Sequence, residues 1–412
     1  MGVSSAFVIS VAFVLTYVGM GVGGVPGLKT DRTGIALMAV AVLLATGAVS
    51  PVQGAAALDG PTLVLMFALM ILSAQFGEGG LYGLAAVRVV GAAVKPERLL
   101  ALTVLVAGVL SAVLVNDIVV FSMAPMLCAG LKARGLDPRP YLVALAGAGN
   151  AGSAASLIGN PQNILIGQLG HLEFWRFVAV CAPTAVIGLV CVYGAVRIFW
   201  RRELLASGHI HEPPPVEIDT WQIAKGTIAA VVLVGLFAAP VPREVTALAV
   251  AAVLLASRTI HSRHLVAAVD WPLLLLIACL FVVTGAFAGH LPEIAGGQWS
   301  AATLPSPEHL GWLALGALVL SNTIGNVPAT ILLVTLWPNL APGTLYGLAI
   351  LSTLAGNLLL VGSLCNIIVA ERAGQSGVKL SFGDFARAGL PMTAASMALA
   401  IIWLWWGGWM PL

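Results

Sequence analysis

Long apolar runs, many of them about as long as a bilayer is thick, occupy most of this chain of 412 residues. A helix that crosses the hydrocarbon core needs roughly 20 apolar residues. The chain is 59% hydrophobic and only 9% charged, whereas a soluble domain carries about 25% charged residues. The sequence therefore predicts an all-α integral membrane protein, since helices satisfy their own backbone hydrogen bonds in lipid.

Ten of these runs are predicted to cross the membrane as helices, five in each half of the chain. The long hydrophilic stretch at 198–221 separates the halves. We therefore predict a first repeat at residues 1–200, a cytoplasmic linker at 201–221 and a second repeat at 222–412. The predicted spans are residues 6–28, 34–52, 60–78, 140–168, 174–197, 222–240, 243–257, 271–289, 343–369 and 385–406.

Two other apolar stretches do not fit a simple crossing. Residues 98–131 exceed one span, and Asn116-Asp117 divides them into arms of about 17 and 14 residues. Residues 311–337 divide similarly at Ser321-Asn322-Thr323. Arms this short predict two re-entrant hairpins whose tips meet near the middle of the bilayer.

The positions of the basic residues predict the orientation. With the N-terminus outside, all 19 lysines and arginines except Arg176 and Arg243 fall in inner loops, as the positive-inside rule requires. Each half then crosses five times, and an odd number of crossings makes the two repeats inverted. An inverted repeat permits alternating access. We expect a multi-pass protein of the cell inner membrane.

Four polar tracts lie inside these apolar segments, two in each half. Clusters of Asn, Gly and Pro at membrane depth indicate broken helices around a water-filled cavity, because lipid-facing backbone must satisfy its own hydrogen bonds. Matching interruptions in two halves are typical of a transporter's binding site. The candidate residues for binding substrate or ion are Asn116, Asp117, Ser153, Ser156, Gly159, Asn160, Pro161, Asn163, Ser321, Asn322, Thr323, Asn326, Asn357, Gly362, Ser363 and Asn366.

Asp117 is the one acidic residue that this layout places deep in the membrane. Burial of a carboxylate there costs roughly 2.5 kcal/mol or more, so such a residue usually serves an ion or proton pathway. Asp117 is therefore the candidate coupling residue, which binds a cation such as Na⁺ or carries a proton. Two simpler interpretations stay open. Asp117 could only cap the adjoining half-helix, and the Asn, Ser, Thr and Gly residues could serve only interhelical packing and hydrogen bonding.

Several of these stretches resemble the ion transporter superfamily, which includes citrate transporter-like proteins, arsenite efflux permeases, sodium/proton antiporters and divalent anion–sodium symporters. The resemblance covers nearly the whole chain and implies a scaffold domain, a transport domain with two opposed hairpins and two broken helices, and often a homodimer with elevator-like movement. It rests on residues 29–32, Asn116-Asp117 with Pro125, residues 152–163, residues 321–328 and residues 354–366.

The hairpin tips are informative within this superfamily. The divalent anion symporters carry Ser-Asn-Thr in both tips, where it contacts the carboxylate substrate and Na⁺. Here Ser321-Asn322-Thr323 matches that pattern, whereas Val115-Asn116-Asp117 does not. An Asn-Asp tip is more similar to the arsenite and antiporter branches.

The sequence thus predicts a secondary active transporter for a small inorganic ion or anion, arsenite-like or carboxylate, coupled to H⁺ or Na⁺. The alternatives are a Na⁺/H⁺ antiporter and a passive channel. An intramembrane enzyme is disfavoured, because the sequence shows no nucleophile–base pair or metal-ligand motif at depth. No Walker motif is present either. The expected partners are the substrate, the lipid bilayer and a second copy of the chain. We expect no nucleic acid and no cofactor apart from Na⁺ as a coupling ion.

Overall fold

The computed structural model describes residues 4–24, 27–92, 95–205, 217–294 and 306–412. These ranges contain nineteen α-helices and no β-strand. Residues 206–216, which form most of the predicted linker, lie outside the described residues, as do residues 25–26 of the first predicted span.

The first half contains ten helices. Their bounds are α1 (Ser5–Val22), α2 (Arg32–Ala45), α3 (Pro51–Ala56), α4 (Gly60–Glu78), α5 (Leu81–Ala92), α6 (Pro96–Val113), α7 (Asn116–Ala133), α8 (Arg139–Ser153), α9 (Pro161–Leu169) and α10 (Phe174–Phe199).

The second half repeats this order without a counterpart of α5 among the described residues. Its helices are α11 (Thr220–Leu236), α12 (Arg243–Leu255), α13 (Ser262–Ala267), α14 (Trp271–Ile294), α15 (Leu310–Thr323), α16 (Asn326–Leu336), α17 (Pro342–Ala355), α18 (Leu364–Gln375) and α19 (Phe382–Trp406).

Six described helices are long and apolar enough to cross a membrane, namely α1, α4, α6, α10, α14 and α19. Shorter apolar helices lie between them. The prediction of an all-helical, multi-pass membrane protein is therefore confirmed, while ten crossings stay a prediction.

Two details of the first half differ from the prediction. The apolar run at 34–52 forms two helices, because Gly47 adopts a left-handed conformation (φ +72°) that ends α2 and Ser50 caps α3. Residues 81–92, which were not assigned, form α5. This helix buries Tyr82 and Val89 and packs against α7, so it belongs to the core of the membrane domain.

Two helical hairpins interrupt the series of spans. The arms α6 and α7 have 18 residues each, and Leu114 and Val115 join them in extended conformations. The arms α15 and α16 have 14 and 11 residues. Gly325 lies between them with a φ of +96°, a conformation that glycine adopts without strain.

The second turn comes later in the chain than predicted. Ser321-Asn322-Thr323 forms the last turn of α15, because Asn322 Nδ2 and Thr323 Oγ1 donate to carbonyls of their own helix at 2.9 and 2.8 Å. Ile324 and Gly325 then make the turn.

The matching of the two tips changes accordingly. Both turns follow a Val-Leu-Ser tripeptide at the same distance, and both second arms begin at an asparagine. The predicted pairing of Val115-Asn116-Asp117 with Ser321-Asn322-Thr323 is therefore wrong. The corrected pairs are Ser111 with Ser321, Asn116 with Asn326, and Asp117 with Val327.

Two groups of three helices pack beside these hairpins. Helices α1, α2 and α14 contact one another, as do α11, α12 and α4, so each group combines helices of both halves. Buried side chains join them. Tyr17 Oη lies 2.8 Å from Thr284 Oγ1 between α1 and α14, and Gln75 Nε2 donates to Gln222 Oε1 at 2.7 Å between α4 and α11. The helices α6–α10 and α15–α19 pack around the polar tracts.

Candidate functional site

The helical segment at 140–168 is broken at residues 154–160, between α8 and α9. Asn160 caps α9, since its Oδ1 accepts from the backbone N of Asn163 at 2.8 Å, and Pro161 takes the first helical position. The side-chain amide of Asn163 in turn donates to the carbonyls of Ser153 and Ser156 at 3.2 and 2.9 Å. Asn163 therefore holds the unwound loop in place.

The segment at 343–369 is broken in the same way at residues 356–363, which include a short 3₁₀-helix at Leu360–Gly362. Asn366 Nδ2 donates to the carbonyls of Gly356 and Leu359 at 2.8 and 3.0 Å. Asn163 and Asn366 thus bond to carbonyls ten and seven residues earlier in the chain. The same pair of hydrogen bonds from an asparagine amide therefore shapes the unwound loop in each half.

Asn150, which the sequence analysis did not select, connects the two loops. Its Nδ2 donates to Asn357 Oδ1 at 2.8 Å and to Asn366 Oδ1 at 3.0 Å. Its Oδ1 accepts from Ser363 Oγ at 3.0 Å and from Asn116 Nδ2 at 3.4 Å. One fully buried amide therefore joins α8, the second loop and the first hairpin.

Thr353 is the counterpart of Asn150 in the second half, and the sequence analysis did not select it either. Asn160 Nδ2 donates to Thr353 Oγ1 at 3.3 Å and to Ser153 Oγ at 2.8 Å. Gln162 Nε2 reaches Thr353 at 3.2 Å. Asn150 and Thr353 each lie 13 residues before the loop asparagine of their half, Asn163 and Asn366 respectively. A search for polar residues at matching distances from the two breaks could have found them.

The first hairpin tip is hydrogen bonded to the first loop. The backbone N of Asn116 donates to Gly159 O at 3.0 Å, and Ser156 Oγ donates to Ala112 O at 2.5 Å. A Cβ on Gly159 would lie 2.3 Å from Ser153 O. Only glycine fits this approach, so Gly159 allows the loop to pack closely on itself, while its predicted role in binding stays a prediction.

Asp117 follows on this tip and is 7% exposed. Its carboxylate accepts no hydrogen bond from the residues that the structure describes, and α7 has no side-chain cap, so the capping interpretation is not supported. A buried carboxylate without donors is costly unless a proton or a cation neutralises it.

The second tip is hydrogen bonded to α17 and packed on the second loop. Ser321 Oγ donates to Ser352 O at 3.4 Å, and Asn322 Nδ2 donates to Ala355 O at 2.9 Å. A Cβ on Gly362 would lie 2.4 Å from Asn322 Oδ1. Thr323, by contrast, is exposed and bonds to its own helix, so the structure does not bring this candidate into the cluster.

Several buried oxygen atoms of these elements have no hydrogen-bond partner in the described parts of the chain. An unpaired buried polar group costs about 1–3 kcal/mol. Side-chain and carbonyl oxygens on broken helices are the ligands that Na⁺ takes in transporters, so the donor set fits this ion. The atoms are Ser111 Oγ, Asn116 Oδ1, Asn163 Oδ1, Asn322 Oδ1 and Ser352 Oγ.

A cavity of about 730 Å³ leads to the second tip and the second loop; we call it the tip cavity. It is lined on one side by Gly325, Asn326 and Val361, and on the other by the end of α1 and the starts of α2 and α14. Asn326 is 6% exposed, and its Oδ1 accepts from the backbone N of Val327 at 3.0 Å. The charged lining residues are Asp31, Arg32, Asp270 and Glu371.

A second cavity of about 790 Å³ has a matching lining, and we call it the shallow cavity. It is lined by the end of α9 and the starts of α4 and α12 and includes no residue of 111–117 or 154–160. An Ala-Ala-x-Asp-x-Pro repeat at 56–61 and 267–272 reveals the correspondence. The matching lining residues are Asp59 with Asp270, Pro61 with Pro272, Arg243 with Arg32, and Gln168 with Glu371.

Comparison with known proteins gives consistent matches over most of the chain. A sequence model of the family described as citrate transporter matches residues 13–346. An uncharacterized transporter of Mycobacterium tuberculosis is 27% identical over 407 residues, which cover 92% of this chain and 94% of the relative. The protein arsB of Dictyostelium discoideum, named as a transporter, is 21% identical over 495 residues, covering 91% of this chain and 87% of the relative.

The fold is also found among solved structures. The crystal structure of the YdaH transporter of Alcanivorax borkumensis superposes with a TM-score of 0.58 and 14% sequence identity. The match covers 99% of this chain and 100% of that chain. At this identity the likeness shows a shared fold.

Proposed function

Because the chain belongs to the citrate transporter family, we propose that it is a secondary active transporter for a small anion or oxyanion, coupled to H⁺ or Na⁺. One observation carries this proposal. Asp117 is buried without a hydrogen-bond donor among the described residues, and buried side-chain oxygens of the hairpins and of the helices next to the breaks, such as Asn116 Oδ1 and Asn163 Oδ1, are also unpaired there. Such a group of atoms can bind and release a proton or cation during transport.

The broken helices supply the complementary part of the site. Helices α9 and α18 both begin at the polar cluster, next to Asn160 and Ser363. The first backbone N–H groups of a helix have no intrahelical partner and favour negative charge. We therefore assign the anion to these helix starts and the coupling ion to Asp117 and the amide oxygens of Asn116 and Asn322.

Alternating access is the mechanism that fits the two cavities. We propose that α1–α5 and α11–α14 form a scaffold, and that α6–α10 and α15–α19 form a transport domain that shifts against it. The matching hydrogen bonds of Asn163 and Asn366 support an inverted repeat. By the positive-inside orientation, the tip cavity opens to the cytoplasm in an inner-membrane protein. A homodimer is our expectation for the assembly.

A Na⁺/H⁺ antiporter is the second candidate, and the charges of the tip cavity favour it. Three carboxylates, Asp31, Asp270 and Glu371, line this cavity against one arginine, Arg32. A negative vestibule raises the local concentration of cations rather than anions.

Transport in proteoliposomes tests both candidates. Purified protein is reconstituted, and uptake of arsenite, citrate and dicarboxylates is measured under imposed pH and Na⁺ gradients. Accumulation above equilibrium that follows one gradient supports the anion transporter. Na⁺-dependent proton movement without other solutes identifies the antiporter. Flux that no gradient drives uphill contradicts both and identifies a passive channel.

A further inference from the structure

Arg243, the first residue of α12, binds the end of α9. Its guanidinium donates to Gly167 O at 3.3 Å and also to Leu172 O. Next to it, Glu244 accepts a hydrogen bond from Gln168 Nε2 at 3.0 Å. The last carbonyls of a helix lack intrahelical partners and carry the negative end of its dipole, so they favour a cation at this position.

Arg32 has the same place in the other half, as the first residue of α2. It lines the tip cavity and makes no hydrogen bond or ion pair with any residue that the structure describes. Its Nη1 lies 3.7 Å from the position that a Cβ on Gly325 would take, so it borders the second hairpin tip. Ala370 and Glu371 of α18, which match Gly167 and Gln168, line the same cavity.

The tip cavity and the shallow cavity therefore differ in whether their arginine contacts the facing helix and in how far they extend toward a hairpin tip. Where Arg243 holds the facing helix, the lining of the cavity ends at α9. Where Arg32 has no hydrogen-bond or ion-pair partner among the described residues, the cavity reaches the hairpin tip. The matching loop residues show this difference directly. Val361 is 42% exposed, whereas Ile158 is 3% exposed.

We propose that Arg243 and Arg32 are reciprocal positioning residues. Arg243 holds α9 against α12 and keeps that side closed, and Arg32 forms the equivalent contact with α18 when the tip cavity closes. The inference rests on the proposed alternating-access transporter. In this proposal the Arg243 contact forms only when the tip cavity is open, and the Arg32 contact forms only when it is closed. Removal of either contact therefore changes the ratio of the open and closed conformations.

The test measures accessibility and needs no substrate. All five cysteines are free, so a cysteine-less background breaks no disulfide. Two reporters, Val361→Cys and Ile158→Cys, are placed in it separately, and the rate of maleimide labelling of purified protein is measured. Loss of a charge-assisted hydrogen bond corresponds to about a tenfold change in such an equilibrium.

We expect Arg243→Ala to slow labelling of Val361→Cys and to speed labelling of Ile158→Cys, with a combined change of about tenfold. With Arg32→Ala, maleimide should label Val361→Cys at least as fast as it does when Arg32 is present. Labelling of Ile158→Cys should stay slow. Arg243→Lys keeps the charge and should restore most of the wild-type rates. A merely structural loss would expose both reporters together.

If Arg243→Ala does not elute as a folded protein, the pair Gln168→Ala and Glu244→Ala weakens the same side and should produce a smaller shift in the same direction. Equal changes at both reporters, or no change in folded variants, overturn the proposal. Absence of gradient-driven flux in proteoliposomes, together with the expected labelling, would refute the proposed function and leave the arginine contacts supported.

Discussion

The two unwound loops, residues 154–160 and 356–363, have the same internal hydrogen bonds but different surroundings. Asn163 and Asn366 each hold carbonyls ten and seven residues earlier. Yet the second loop borders the tip cavity, whereas the first is buried. The loops are therefore equivalent as local structures, and their difference in access comes from how the neighbouring helices pack.

The two hairpin tips differ in chemistry as well. Asn116 and Asn326 match, but Asp117 stands where the second tip has Val327. The carboxylate is thus present at one of the two tips only, and it is the feature with the largest expected effect on activity.

The largest expected effect comes from Asp117→Asn. The amide has the same shape but carries neither proton nor full charge, so gradient-driven flux should fall at least about 100-fold while the protein stays folded. Flux in proteoliposomes and the elution profile from size-exclusion chromatography measure the two outcomes. Asp59→Asn is the matched control, because Asn also caps α4, and it should retain flux within about twofold. Wild-type flux in Asp117→Asn would refute the coupling role.

The glycines of the two loops should differ in their tolerance of a methyl group. In Gly159→Ala the new Cβ meets backbone, Ser153 O at 2.3 Å, so we expect a loss of about 3 kcal/mol or failure to fold. In Gly362→Ala the new Cβ meets the side-chain atom Asn322 Oδ1 at 2.4 Å and the backbone atom Gly356 O at the longer distance of 2.9 Å, so we expect a smaller loss of about 1–2 kcal/mol. Thermal unfolding in detergent gives the order, and an equal or reversed order would contradict this reasoning.

The paired asparagines offer a finer comparison. Asn163→Ala and Asn366→Ala each lose two bonds to loop carbonyls, and Asn366→Ala also leaves Asn150 Nδ2 without one acceptor. Since each buried hydrogen bond contributes about 1 kcal/mol, Asn366→Ala should be the less stable by roughly that amount. The unfolding temperatures of both variants test this order. A lower unfolding temperature for Asn163→Ala than for Asn366→Ala would show that the two loops are not equivalent.

The smallest expected effect is that of Thr323→Ala. Its hydroxyl bonds to Val319 O of its own exposed helix face, so stability should change by less than about 0.5 kcal/mol. The neighbouring Asn322→Ala, which removes the bond to Ala355 O, serves as the contrast and should reduce flux. A Thr323→Ala variant that loses flux would place this residue in the site after all.

The sequence predicted the positions of most apolar helices and of the two breaks, because hydrophobic length and polar interruptions are local properties, while the number of crossings stays a prediction. It placed the second turn too early, since Asn322 and Thr323 satisfy carbonyls of their own helix and α15 continues through them. Asn150 and Thr353 escaped notice because their partners lie about 200 residues away. The Ala-Ala-x-Asp-x-Pro repeat was readable in the sequence and would have paired the two cavities.

Each loop asparagine closes its own loop, with both carbonyl acceptors on the same broken segment. These hydrogen bonds do not involve the helices α1–α5 and α11–α14, which we propose as the scaffold. In the proposed movement of the transport domain, a substrate bound at these two loops would keep the same loop contacts on both sides of the membrane.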